Sequence, residues 1–429
     1  MPMTSRTRWV RCIHRPLLVS SLLLLAPLNT LAADWTLERS AERALAVAPE
    51  LKAARAERDR YAGLADEAGR WPSPELEVDF SDELGIQDGS GNWSVKEYAI
   101  HQSLPIDGRI AHRADAADKR IEVAEAQQLQ HALTMEHRVA LAFHRLQWAQ
   151  ARIEQAKNQQ DWTQRFAHIG DRRARAGDLS ERERLRLNLL HAEAQAELDE
   201  GRQMRKAALA TYRGVLTIDK KTSVTLAELS RPKAPPALDT LRERLDRHPT
   251  LRAAARQVAA ARAEVKQARA ERLPDLAVRM GRERGYINGR KETTNRIGLS
   301  VELPLWSQGR GHVDARQSAV IRQDAERQVT ARDLGIRLER SHARLAGVLE
   351  HIDEHRTAVL VPADTVLEQT RQGFKQGELS LTELIDAAQA NIRATQRYID
   401  LLLEAREHES DLRLAAGLML TTDYPEQNR

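Results

Sequence analysis

One short segment of the chain could do metal chemistry: "HIDEH", His351 to His355. It matches H-x-x-E-H, in which two imidazoles one helical turn apart hold zinc and the glutamate serves as general base in peptide hydrolysis. The segment stands inside a long helical stretch with no evident third ligand, and a solvated or tube-lining helix face accounts for it without chemistry. A second constellation is acidic. Glu383 and Asp386 are three apart and so share a helix face. Glu383 also completes Ser380-x-x-Glu383, a capping box, so Asp386 is the member without a local structural reason. His101, His112 and His312 are scattered and read as polar surface. No catalytic residue, cofactor site or metal site is assigned.

Something must position these residues, and the composition restricts what. Of 429 residues only 4% are aromatic while 30% are charged, which supplies a large compact core poorly. Ala, Arg, Glu, Leu and Gln dominate, as in long helices. The start reads differently. Arg6, Arg8, Arg11 and Arg15 precede an apolar run from Leu17 to Leu28, and Thr30 to Ala33 offers small residues for cleavage. Residues 1–33 therefore read as a signal peptide rather than an uncleaved anchor, because the run is shorter than the ~20 residues of a spanning helix. Cleavage removes four arginines against a formal net charge of +4, leaving a mature chain near neutrality. No basic patch with interleaved aromatics points to nucleic acid. The one cysteine, Cys12, lies in the removable segment, which excludes a disulfide, a thiolate metal site, a Cys nucleophile or a lipidated cysteine from the mature chain.

The remainder is duplicated. In "AGDLSERERLRL" from Ala176 and "QGELSLTELIDA" from Gln376, Gly177, Leu179, Ser180 and Glu183 recur as Gly377, Leu379, Ser380 and Glu383. "APELKAAR" from Ala48 answers "HPTLRAAA" from His248, "PELEV" from Pro74 answers "PDLAV" from Pro274, and "SLPIDGR" from Ser103 answers "ELPLWSQGR" from Glu302. Matches in one order at a nearly constant offset, the last with a two-residue insertion before its Gly-Arg, define two repeats, residues 34–222 and 223–420, with a tail over 421–429.

Each repeat has the same plan. A first helix, Leu37 to Ala68 in the first repeat, ends at Trp71-Pro72-Ser73-Pro74. The period then changes to two: Leu76, Val78 and Phe80 alternate with Glu75, Glu77 and Asp79, as Leu276, Val278 and Met280 do with Asp275, Ala277 and Arg279. Gly/Asn/Asp-rich loops, "GIQDGSGN" and "GYINGRKE", lead to second strands carrying Tyr98 and Ile100, and Ile297, Leu299, Val301 and Leu303. Long helices follow: Arg109 to Arg175 and Ser180 to Gly214, then Arg310 to Gln372 and Ser380 to Ala416. A 60-residue helix is ~90 Å long, so these must pack side by side as a bundle or tube. At the tips, Gly177 and Gly377 suit the left-handed residue that ends a helix, and Leu379 is placed to staple onto Leu384 where the first repeat has Arg184.

Four two-faced strands do not make an ordinary domain. If their apolar face meets lipid, the backbone must be paired in a closed barrel, and four strands cannot close. Three copies supply twelve, which predicts a mainly α-helical chain whose β-strands are pooled in a homotrimer into a 12-stranded transmembrane barrel above a helical one. Trp71, Trp93, Tyr98, Tyr286 and Trp306 lie in or beside the strands, where interfacial aromatics belong. Soluble hairpins capping a coiled coil are the alternative.

The signal peptide, the duplicated helix, hairpin and long-helix order, "WPSPELEV", the "LP…GR" turns and the two G-x-L-S-x-x-E tips resemble the TolC-like outer-membrane efflux family, from about Asp34 to Leu420. "PSPELEV" and "RARAGDLSERERLRL" are most similar to its heavy-metal branch, which serves cation-exporting resistance-nodulation-division pumps. The resemblance implies a passive duct, not an enzyme, with its barrel in outer-membrane lipid and its helices in the periplasm, meeting a periplasmic adaptor and an inner-membrane pump. It implies that Gly177, Leu179, Ser180, Gly377, Leu379 and Ser380 dock the adaptor, and that Glu383 and Asp386 ring the periplasmic gate. The family pattern often has two aspartates there, so Glu383 leaves the gate geometry open. A drug-efflux or type I secretion duct of the same fold, or a periplasmic coiled-coil adaptor, remain alternative readings.

Overall fold

The computed structural model describes residues 35–81, 95–105, 108–287, 290–303, 305–306 and 308–421. The signal peptide, Trp93 and all but the first residue of the tail lie outside the described residues.

The first repeat opens with α1 (Leu37–Val47) and α2 (Pro49–Ala68). The expected single helix from Leu37 to Ala68 is thus broken at Ala48, whose ψ of 126° leaves the helical region. Pro49 is the cause: a proline disfavours α geometry in the residue before it and is pre-organised for the first position of a new helix. Strands β1 (Glu75–Ser81) and β2 (Val95–Leu104) follow, then α3 (Arg109–Ala176) and α4 (Glu181–Leu216). At 68 residues α3 is ~100 Å long.

A connecting segment leads to the short α5 (Leu238–Arg242) and then to α6 (Pro249–Ala270), β3 (Asp275–Ile287) and β4 (Arg290–Glu302). The loop expected over "GYINGRKE" is largely strand, because Gly285 pairs with Glu292, Tyr286 with Lys291 and Ile287 with Arg290. Cross-strand pairing here outweighs the local turn preference of Gly and Asn.

After β4 come α7 (Arg310–His355), a π-helical turn over Arg356–Leu360, α8 (Val361–Gln376) and α9 (Leu381–Ala416). The expected continuous helix from Arg310 to Gln372 therefore changes register midway. Pro362 lacks the N–H that would reach back four residues and its ring presses on the carbonyl there, and a widened π turn absorbs that conflict.

Buried side chains form separate clusters along the tube rather than one core. Leu45, Leu51, Phe143, Leu146 and Tyr212 join α1, α2, α3 and α4. Leu338, Leu345, Ile352, Leu401 and Leu412 join α7 and α9. Near the tips, Phe166, Leu187 and Leu190 of the first repeat meet Leu367, Phe374 and Leu384 of the second, with the Phe166 and Phe374 rings 6.0 Å apart.

Two polar latches hold the chain's crossing segments against α3. Glu136 is 2% exposed, and its carboxylate accepts from the backbone N–H groups of Leu420 at 2.6 Å and Thr421 at 3.0 Å, and from the Thr421 hydroxyl. Burial nevertheless pushes this carboxyl up. The second latch is His144, whose Nδ1 donates to Gln147 Oε1 at 2.9 Å while Gln147 Nε2 donates to the Ala227 carbonyl at 2.8 Å in the connecting segment.

Burial lowers His144 to about 4, with the hydrogen bond to Gln147 and the charges of Arg406 and Glu409 as smaller influences. Unfolded, the imidazole would titrate near 6.5. The folded chain thus binds fewer protons, so this contribution is complete above pH 6.5 and is lost as the pH falls toward 4. The loss reaches about 3 kcal/mol at the acid end. The thermal midpoint in detergent is expected to drop between pH 7 and pH 4.5, and His144→Gln is expected to reduce that drop; equal pH dependence in both proteins would refute the role of His144.

Candidate functional site

The two tips are built alike. Gly177 and Gly377 end α3 and α8 with φ of 85° and 83°, the left-handed region that a side chain on Cβ disfavours. Ser180 and Ser380 then cap α4 and α9. Each hydroxyl accepts from the backbone N–H of Glu183 or Glu383 at 3.3 Å, and each glutamate accepts in return from its serine's N–H at 2.9 Å and 2.7 Å. These bonds hold both glutamate carboxyls below their usual range.

Leu179 and Leu379 are half-buried rather than fully presented to solvent. Leu379 lies over Gly373, where an added Cβ would come within 2.7 Å of its Cδ1. Leu179 sits near Gly170, whose missing side chain leaves room chiefly for Leu187. Each tip leucine therefore closes its own turn, while Gly177, Asp178, Ser180, Gly377, Glu378 and Ser380 are exposed.

Beyond this shared frame the tips differ in charge. Arg184 is engaged by Glu181 and by Asp171 at 3.3 Å, and Arg186 donates to Thr382 Oγ1 at 3.2 Å across the repeats. Arg182 is exposed. On the second tip Glu383 is occupied by its cap, whereas Asp386 is exposed and has no hydrogen bond or ion pair to another described residue. The two carboxylates lie on one helix, but only Asp386 is unengaged.

The HIDEH segment is dispersed by its surroundings. His351 is exposed, Asp353 pairs with Arg231 at 2.7 Å, and His355 Nε2 donates to the Ala394 carbonyl at 2.9 Å. Among the described residues no group of three or more His, Cys, Asp or Glu side chains is placed to hold a metal ion.

The sheet carries a feature that site-by-site reading of the sequence missed. Its strands are all antiparallel in the order β1-β2-β3-β4, with the outer edges of β1 and β4 unpaired among the described residues. The register aligns Leu76, Ile100, Met280 and Ile297 on one face, and Val278 with Leu299 and Leu276 with Val301 beside them. This face is uncovered: Ile297 is 83% exposed, and Trp306 beyond the end of β4 is 92% exposed. Every acidic residue of the described strands, namely Glu75, Glu77, Asp79, Glu97, Asp275, Glu283, Glu292 and Glu302, falls on the opposite face. Arg279 joins them there, 2.9 Å from Glu77 and 3.0 Å from Glu97, and Arg296 pairs with Glu283. The signal was present as the period-two alternation, but only the cross-strand register shows that all eight acids share one side.

A bare sheet with one apolar exposed face, one charged face and two open edges has an obvious setting. The apolar face fits lipid, the charged face fits an aqueous lumen, and the edges must be closed by further strands. Among the described residues no helix is long and apolar enough to cross a membrane.

Comparison with known proteins agrees with this arrangement. The family model described as outer membrane efflux protein matches residues 240–418. The cobalt-zinc-cadmium resistance protein CzcC of Cupriavidus metallidurans is 25% identical over 381 residues, covering 86% of this chain and 87% of the relative. CusC, a channel-forming protein, superimposes with a TM-score of 0.74 at 15% identity over 92% of this chain and 95% of its own. The open state of the Neisseria gonorrhoeae MtrE outer membrane channel gives 0.73 at 17% identity over 90% of each chain. The two solved structures bear on the fold, while the family match and the curated relative bear on descent. The chain thus has the fold of these outer membrane channels, and its second half matches the family of outer membrane efflux proteins.

Proposed function

We propose that the chain is the outer-membrane duct of a tripartite efflux assembly that exports heavy-metal cations. The observation that carries this reading is the sorting of charge in the sheet: eight carboxylates on the lumenal face against the arginines Arg279, Arg290 and Arg296. A wall with excess negative charge concentrates cations and repels anions. Its similarity to a protein named for cobalt, zinc and cadmium resistance supports the same cargo class. Three copies related by a threefold axis pool twelve strands, each β4 edge pairing with the β1 edge of the next copy. The duct is passive, and the pump supplies the energy.

In this reading the tips at Gly177, Leu179, Ser180, Gly377, Leu379 and Ser380 face the adaptor at the periplasmic end. Gly177 and Gly377 set the turn, the serines fix the next helix, and the leucines lock the tip shape. The exposed Asp178 and Glu378 stand beside them at the contact surface. Glu383 and Asp386 mark the gate, with Asp386 the residue whose charge is available to passing ions.

Two measurements test these roles. Asp386→Ala in a reconstituted trimer is expected to change single-channel conductance and weaken cation preference by several-fold; an unchanged current and selectivity would remove Asp386 from the gate. Because Cys12 is the only cysteine and precedes the mature region, Asp178→Cys and Glu378→Cys give clean single attachment points. Both are expected to crosslink to the cognate adaptor, and Leu179→Glu with Leu379→Glu is expected to abolish efflux while trimers still form. Absence of crosslinks together with normal efflux in the leucine variant would place the docking surface elsewhere.

A further inference from the structure

Charge sorting in the sheet has a second half, on the face turned to lipid. Beyond the apolar rows, Lys96 of β2 and Arg282 and Arg284 of β3 share the face that carries Tyr98, Ile100 and Met280. Lys291 of β4 occupies the same face further along. No acidic residue of the described strands accompanies them. Alternation makes the contrast direct: Lys96 points outward and Glu97 inward, and Arg282 and Arg284 point outward on either side of the inward Glu283.

The placement in depth is specific. From Leu276 to Arg284 the strand rises ~27 Å, or ~20 Å along the membrane normal at the usual barrel tilt. The apolar belt of such barrels is ~25 Å tall. Trp71 and Trp306 stand at the helix-proximal end of this belt and are well exposed. Arg284 and its partner Lys96 therefore lie near its far rim, and Arg282, ~15 Å up, reaches toward that rim with its long side chain; the rim faces the outer leaflet because the helices extend into the periplasm. Lys96 and Arg284 are direct cross-strand partners, and like charges so placed repel unless an anion lies between them. Arg282 and Arg284 are exposed, and none of the three is joined by an ion pair to another described residue.

We infer that Lys96, Arg282 and Arg284 form a binding site for the phosphate groups of the phosphorylated glycolipid in the outer leaflet. Guanidinium groups engage phosphate through paired hydrogen bonds, and the adjacent apolar rows receive the acyl chains. Tyr98 shares this face between the apolar rows and the cations, a position that suits a ring with one apolar body and one polar tip. The site rests on the reading of these strands as a lipid-embedded barrel, and it adds a specific lipid partner to that barrel.

The test uses the full-length trimer, purified in zwitterionic detergent, and a Lys96→Gln, Arg282→Gln, Arg284→Gln variant. Each is titrated with purified lipopolysaccharide, with enzymatically dephosphorylated lipopolysaccharide and with phosphatidylglycerol, and bound lipid is counted by native mass spectrometry. Wild type is expected to bind the phosphorylated glycolipid at least tenfold more tightly than the other two lipids. The variant is expected to lose that preference, and Arg282→Lys with Arg284→Lys is expected to retain most of it. Binding by the triple variant equal to wild type, or equal binding of the dephosphorylated glycolipid or of phosphatidylglycerol, would overturn the inference. Single-channel conductance separates the two readings: normal currents with no glycolipid preference reject the lipid site alone, whereas a wild-type trimer that forms no channel rejects the barrel on which it rests.

Discussion

The constraint on which the rest of the structure depends is that backbone hydrogen-bonding groups cannot remain unpaired in hydrocarbon. A chain that brings four strands to a membrane and leaves the edges of β1 and β4 open cannot meet that constraint alone. It needs identical neighbours, and the internal duplication explains why the number per chain is four. Each repeat contributes one hairpin, and β2 pairs with β3 across the repeats so that the two hairpins form a continuous sheet. The helices inherit the same arrangement, because each strand pair must connect to helices leaving the barrel at fixed spacing. Their length then places the tips roughly 100 Å from the sheet.

Such distances forbid a single core. The tube is instead held by successive small clusters, each formed where helices of Ala-rich faces touch, and by polar latches that tie crossing segments to α3. Glu136 and His144 show two solutions to burying a titratable group. Glu136 accepts donors from Leu420 and Thr421, whereas His144 stays neutral and passes its hydrogen bond through Gln147 to Ala227. Both attach segments that end or join the repeats, where the duplicated plan offers no counterpart helix to pack against.

Much of this was legible in the sequence because it is local or periodic. The capping boxes at Ser180 and Ser380 and the left-handed Gly177 and Gly377 need only a few consecutive residues, and the structure has them as read. The strands announced themselves through period-two alternation. What escaped reading depends on partners distant in sequence. Glu136 resembles any helical glutamate until Thr421, 285 residues away, is placed against it. The extension of β3 and β4 through Gly285 and Lys291 is decided by the opposite strand rather than by the loop-like residues themselves. The inward turn of Leu179 and Leu379 depends on the space left at Gly170 and Gly373 in the preceding helices. The break at Ala48 was within reach, since Pro49 stands beside it, but helical periodicity on both sides concealed it.

The register of the sheet is where sequence, packing and function meet. Side chains alternate strictly along a strand, so a slip of one residue exchanges the two faces. In this chain such a slip would drive eight carboxylates into lipid and expose Leu76, Ile100, Met280 and Ile297 to the lumen. Charged side chains on a lipid-facing side are destabilising, most so near the midplane, and the loss would be shared among all four strands. The pattern that gives the lumen its charge is thus the same pattern that fixes strand pairing, and no separate device is required for either. Ala99 and Gly281 fit this account. They face each other on the side of the carboxylates, where a Cβ at Gly281 would meet the Ala99 Cβ at 3.2 Å, so a larger side chain at either position would have to displace its neighbour. Selecting a sequence for one charged face opposite one apolar face and selecting it for one unambiguous register are, in this sheet, a single requirement.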